Sequence, residues 1–203
     1  MQNRSLSFIL LFLILVGCSR SLKPTELDVL GTEDCKPPCW RGITPGKITV
    51  DETITIFQNW QVENKGMWKR NTGTNNVISW DYVCWRDRVG PQICLEVGDN
   101  NLISKVDLRF YSSSLKLEDI IEIYGQPDGY KIDLCPDCSG YGISIYYIEN
   151  GLIFSFGASG KLQITPKMKF SRALFLDQET IEIYKEGYIE WSGYGPISLN
   201  NNK

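Results

Sequence analysis

The sequence predicts an α+β protein built as two tandem helix-plus-antiparallel-meander units, with the helices on one face of the sheet. Three observations point there. One amphipathic pattern recurs at an offset of 67 residues. Two cysteines, Cys84 and Cys94, fit a single hairpin register that gathers the apolar side chains on one face. Turn signals separate short alternating stretches throughout.

From the amino terminus, residues 1–17 have the layout of a signal peptide. Arg4 supplies a positive start, and Leu6 to Val16 form an apolar run broken only by Ser7. That run is shorter than the ~20 residues a permanent membrane helix needs, and its length suits a cleavable core. It ends at Leu15-Val16-Gly17-Cys18, which resembles the lipobox of bacterial lipoproteins. The resemblance implies cleavage before Cys18 and covalent diacylglycerol on its thiol. It also implies a chain held at the cell membrane or outer membrane by lipid, on the extracytoplasmic face. Residues 18–34 then read as the lipidated cysteine and a polar tether. Removing residues 1–17 takes away Arg4 and no acid, so the net charge moves from −3 to −4. With no basic stripe to neutralise phosphates, nucleic acid is not an expected partner.

Six cysteines remain after Cys18, in three local pairs, and an exported chain uses an even number for disulfides first. The pairs are Cys35/Cys39, Cys84/Cys94 and Cys135/Cys138. A hairpin placing Cys84 opposite Cys94 turns within Asp87-Arg88-Val89-Gly90-Pro91. It also sets Val83 opposite Leu95 and Trp85 opposite Ile93, so these four and Val97 make one apolar face. A one-residue slip would scramble that face. A disulfide there contributes about 2–3 kcal/mol in the chain-entropy account. Cys35-Lys36-Pro37-Pro38-Cys39 and Cys135-Pro136-Asp137-Cys138 are proline-stiffened loops that can each close on themselves or cross-pair. Four such thiols also have zinc-like gaps, but the pairs stand far apart in an oxidising compartment, and no metal is expected. The C-x-x-C spacing of Cys135 and Cys138 suits a thiol–disulfide oxidoreductase. The stretch after Cys138, Ser-Gly-Tyr-Gly and then a strand pattern, offers no helix to lower a thiol pKa.

The first unit, 35–112, opens with a capping-box pattern at Thr49 and Glu52, and Val50, Ile54 and Phe57 share one helix face. Strands follow near 77–86, 91–99 and 102–111. The second unit, 113–177, repeats the helix, Leu115 to Tyr124 matching Ile48 to Phe57, and stops it at Gly125 and Pro127. Its strands fall near 141–149, 152–157 and 170–177, with Asn150-Gly151 as a turn. The offset also sets Ile103-Ser104-Lys105-Val106 on Phe170-Ser171-Arg172-Ala173. Residues 178–203 are a C-terminal extension.

Gly42-Ile43-Thr44-Pro45-Gly46-Lys47-Ile48-Thr49 before a short helix resembles the opening of small lipoproteins of the SmpA/OmlA type, and also the tandem repeats of beta-lactamase inhibitory protein. Tyr124-Gly125-Gln126-Pro127-Asp128 and Asn150-Gly151-Leu152 fit the same pattern. Pro38-Cys39-Trp40 and the closing Trp191-Ser192-Gly193-Tyr194-Gly195 are similar to lipoproteins of Chloroflexi-like bacteria. Those relatives open each unit with two helices, where this chain offers one. The resemblance implies a non-catalytic, protein-binding or envelope-assembly module with a cell-envelope protein as partner.

The chain contains no histidine, which removes Ser-His-Asp and Cys-His catalysis. Gly157-Ala-Ser-Gly160 lacks the lysine of a phosphate-cradling loop. The acid pairs Asp51/Glu52 and Glu118/Asp119 sit at helix starts, where negative charge favours the helix dipole. No catalytic residue and no cofactor beyond the lipid are expected. Aromatic side chains number 24 of 203. In the hairpin register Trp80 and Tyr82 fall opposite the apolar face, and the offset adds Tyr147 at the equivalent of Trp80. These three form a candidate binding surface, for protein or, with the same rings, for glycan. The alternative is that residues 178–203 fold over it, with Trp191 and Tyr194 as the plug.

Overall fold

The computed structural model describes residues 30, 35–64, 67–75, 78–86, 91–98, 101–134 and 140–197. Cys18 and the Cys135/Cys138 loop lie outside the described residues, as do the side chains of Trp80 and Tyr82.

The first helix, α1 (Val50–Asn64), starts where the sequence places it. Thr49 N donates to Glu52 Oε2 at 2.9 Å and Glu52 N to Thr49 Oγ1 at 3.3 Å, closing the capping box. Its inner face buries Val50, Thr53 and Phe57. Four antiparallel strands follow: β1 (Met67–Asn75), β2 (Ile78–Arg86), β3 (Gln92–Val97) and β4 (Ile103–Arg109). The second helix, α2 (Leu117–Tyr124), buries Leu117 and Ile120 and ends at Gly125, whose φ is 81°. Next come β5 (Gly129–Leu134), β6 (Gly140–Tyr147), β7 (Leu152–Ser159), β8 (Gln163–Ile164) and β9 (Lys169–Leu176). The chain closes with α3 (Gln178–Tyr184), β10 (Ile189–Glu190) and β11 (Gly195–Pro196). The protein is α+β.

Nine strands form one sheet in the order β1-β2-β3-β4-β9-β7-β6-β5-β10. Every pairing between neighbours in this sheet is antiparallel, and β4 lies beside β9 at the centre. The hairpin register is the expected one: Cys84 faces Cys94, Val83 faces Leu95 and Trp85 faces Ile93. The Cys84–Cys94 disulfide bridges Cα atoms 4.2 Å apart, and Cys35–Cys39 closes the proline loop.

Side-chain alternation gives the sheet two unlike faces. The covered face carries Leu95, Val106, Leu108, Ile145, Phe154 and Phe175, which with Val50, Phe57, Leu117 and Ile120 make the main core. Trp40 and Ile43, on the loop ahead of α1, are fully buried in it. So is Leu30, which is 2 % exposed and whose carbonyl accepts from Tyr124 Oη. The expected tether 18–34 is therefore too long at its carboxyl end: Leu30 is already part of the folded body.

At the turn between β6 and β7, Gly151 has φ 61° and donates to Ile148 O. A Cβ there would meet Leu176 O at 2.5 Å, so only glycine fits.

Candidate functional site

The open face of the sheet is the candidate functional surface. At its centre α3 crosses over β9, β7 and β6. Asp177 Oδ1 caps this helix by accepting from Thr180 N at 2.6 Å. Ile181 then packs with Tyr146, Ile153, Leu174 and Leu176 in a second, smaller core. Tyr146 Oη donates to Tyr184 O, and Lys105 Nζ reaches Tyr184 Oη at 3.1 Å while pairing with Glu96. After α3 the tail rounds the sheet edge. There β10 pairs with β5, and Trp191 Nε1 donates to Gln126 Oε1 at 2.8 Å. The expected plug is thus divided: Trp191 is half-buried, edge-on to Tyr130 at the margin of the main core, whereas Tyr194 is 46 % exposed.

Beside the strip covered by α3 runs a polar row that strand pairing defines residue by residue. Gln92 faces Arg109, Arg109 faces Arg172, Arg172 faces Ser155, Ser155 faces Ser144 and Ser144 faces Lys131. Under the two arginines sits Asp107, 3 % exposed. Its Oδ1 accepts from Arg172 Nε at 2.8 Å, and its Oδ2 accepts from Arg172 Nη2 at 2.7 Å and from Arg109 Nε and Nη2 at 3.0 and 2.9 Å. Ser144 and Ser155 share a 3.3 Å hydroxyl contact, and Ser144 donates to Asp133. In the next row Gly142 faces Gly157, and a Cβ on Gly157 would meet nothing within 4 Å. This part of the sheet surface is open.

Burial alone would raise the Asp107 pKa. The hydrogen bonds and charges of Arg172 and Arg109 outweigh it and hold the carboxyl below its ordinary 3.8. A carboxyl depressed by folding lends stability that is complete above the ordinary value and is lost as pH falls through the folded one. Asp107→Asn is therefore expected to lower stability at neutral pH by about 1–2 kcal/mol, discounted because both arginines reach solvent. It should also flatten the stability profile below about pH 4. Urea unfolding across pH 2–7 checks this, and an unchanged acid slope in the variant would refute it.

Of the sequence-derived surface residues, positions 80 and 82 share the Cys84 face by strand register, which is the open one. Tyr147 does not join them. It lies on the covered face, 2 % exposed, with its hydroxyl donating to Gly125 O at 2.9 Å and its ring edge-on to Phe154. Burial pushes its hydroxyl pKa up strongly. Tyr147 is a core residue because its neighbours Ile143 and Ile145 alternate onto the same side. The acid pairs sit at helix starts as read: Glu52 caps α1, and Asp119 Oδ2 accepts from Lys116 N at the start of α2.

The Asp107–Arg109–Arg172 cluster escaped the sequence reading. Its signal was the alternation Lys105-Val106-Asp107-Leu108-Arg109, in which every second residue is charged. No protein-family model matches the chain, and neither curated proteins nor solved structures yield a match to it.

Proposed function

We propose that the protein is a membrane-anchored extracytoplasmic module that binds another protein of the cell envelope and catalyses nothing. The observation that carries this reading is the asymmetry of the sheet. Among the described residues, helices α1 and α2 pack on one face of the sheet, while α3 covers only part of the other and leaves beside it a polar row that is half-buried to exposed. The Leu15–Cys18 lipobox pattern supports the anchor. Disulfides at Cys35–Cys39 and Cys84–Cys94 suit an oxidising compartment. A chain without histidine has few routes to general acid–base chemistry.

The module reads further as two similar units. The strand order supports this: β1-β2-β3-β4 meets β9-β7-β6-β5 about the β4–β9 pair, with α1 and α2 each preceding its own four strands. Matching rows also support it, because Cys84–Cys94–Asp107 corresponds to Tyr146–Ile153–Leu174. The offset of 67 then holds for Asp107 and Leu174 but becomes 62 for Cys84 and Tyr146. On strands an odd offset and an even one select opposite faces. Under this alignment Trp80 corresponds to Gly142 and not to Tyr147.

Photocrosslinking in cells tests the reading. A photoreactive residue replacing Ser144, on the open face, is expected to give a discrete protein adduct, and one replacing Glu52 at the helix start is not. Equal, diffuse labelling from both positions, combined with insulin-reducing activity of the purified protein, would replace binding with thiol exchange.

A further inference from the structure

We propose that the open row from Gln92 to Lys131 is a docking strip for an acidic segment of a protein partner, whose carboxylates seat on Arg109 and Arg172. This rests on the binding reading above and names the partner's chemistry.

The arginine pair has the form of a prepared anion seat. Asp107 lies beneath it, 3 % exposed, and both its oxygens are consumed by guanidinium N–H groups. Asp107 is thus a positioning residue that holds two forks side by side. Each arginine spends its Nε and one Nη2 donor downward, and among the described residues no contact engages either Nη1. A guanidinium carries five donors in a fixed fork, and carboxylates are its best bidentate match.

The surrounding charge agrees. Arg109, Arg172 and Lys131 line the row, and Lys169 follows in the next one beside Gly157. Of the acids on these strands, Asp107 takes up one of the two arginine charges, Glu96 is paired with Lys105, and Asp133 keeps its charge while accepting from Ser144. On the overlying α3 Glu182 is paired with Lys185, and Lys131 Nζ donates to Glu186 O just beyond it, so the strip keeps a small positive excess. A locally basic strip on a chain of net charge −3 is a selective feature, and its complement is acidic.

The dimensions favour a protein segment over a small anion. Gln92, Arg109, Arg172, Ser155, Ser144 and Lys131 occupy six adjacent strands, about 24 Å at the spacing of a sheet. An extended segment of about seven residues covers that length. Gly142 and Gly157 flank the row without side chains, which lets a backbone lie close. At one end Tyr111, 66 % exposed, donates its hydroxyl to Gln92 Oε1 at 2.7 Å and offers an aromatic anchor. Tyrosine and arginine are the residue types that dominate binding energy at protein interfaces.

The test uses full-length protein and a fluorescent poly-L-glutamate peptide of about ten residues as the probe. Anisotropy is expected to show saturable binding that weakens at least tenfold as salt rises from about 0.05 to 0.5 M. Arg109→Gln should weaken it by about tenfold, and Arg109→Lys, which keeps the charge but loses the fork, by less. Lys47→Gln, which removes the same charge ahead of α1, should leave binding unchanged. Thermal melts of each variant establish that the fold survives. Equal weakening by Arg109→Gln and Lys47→Gln, absence of peptide binding, or preference for vesicles rich in anionic lipid over the peptide would each overturn the proposal. If the Ser144 crosslink forms in cells and Arg109→Gln leaves it intact, the acidic partner is wrong and the binding module stands. If no crosslink forms, the binding reading itself fails.

Discussion

Cys18→Ser is expected to abolish incorporation of labelled palmitate completely, and to leave the chain unprocessed and longer by the signal segment. The lipid-modifying chemistry needs a thiolate nucleophile, and serine at that position supplies none. The consequence for membrane binding is far larger than for any surface substitution. A single acyl chain gives an association constant of about 10⁴ M⁻¹, and each further buried methylene adds about 0.8 kcal/mol, so the several chains of the proposed anchor would hold the protein for good. A companion chain that starts at Ser19 behind an ordinary cleavable signal should be released in soluble form. Leu30 is locked into the core through its side chain and its carbonyl. Under the proposed anchor, a stretch of about twelve residues after Cys18, at 3.3–3.6 Å each, would keep the folded body within about 40 Å of the bilayer surface. Detergent phase partition and intact-mass measurement of both chains check this. Palmitate label retained by the serine variant would sink the anchor.

The sequence was most legible where two independent constraints met. Cys84 and Cys94 had to face each other, Val83, Trp85, Ile93 and Leu95 had to share a side, and only one register satisfied both. Thr49 and Glu52 were legible for the same reason, since a cap pattern stood directly before an amphipathic face. Where only one constraint existed, the reading failed. Met67–Asn75 has few apolar residues and no regular alternation, so β1, at the sheet edge, left no pattern to read. The helix α3 buries Ile181 and packs Tyr184 beside it but exposes Ile183, so an apolar face this short does not make a stripe, and the cap at Asp177 was its one clear mark. The same gap hid the Arg109–Asp107–Arg172 cluster, because a row across a sheet joins residues that only strand order brings together. Tyr147 was misplaced by parity. Its face was assigned from the offset of 67 to Trp80, whereas the alternation of its own strand, with Ile143 and Ile145 buried, puts it on the covered side.

Phe154→Ala is expected to cost about 3–5 kcal/mol, the largest stability loss of any substitution considered. Phe154 is fully buried at the centre of β7, with ring centroids of Tyr124, Tyr147 and Phe170 at 5.1, 5.8 and 5.8 Å. The cost of a large-to-small change depends on how far its neighbours can collapse into the space, and here two of the three are pinned by their polar ends. Tyr147 Oη is held by Gly125 O and Tyr124 Oη by Leu30 O, so moving either ring inward breaks a part-buried hydrogen bond. Phe170 is tied to Leu115 O through its own backbone N–H and packs on Phe110. The cavity therefore stays open, and both the transfer and the cavity contributions are felt. For a chain of this size the loss corresponds to a fall in Tm of about 6–20 °C. Ile183→Ala, at a side chain 69 % exposed, is expected to change stability by under about 0.5 kcal/mol. Phe154→Leu, which refills most of the volume, should fall between them. Urea unfolding of the three variants decides the matter. A Phe154→Ala loss below about 1 kcal/mol would mean that the aromatic cluster relaxes freely, and then the pinning by Gly125 and Leu30 could not be what fixes α2 and the start of the folded chain to the sheet.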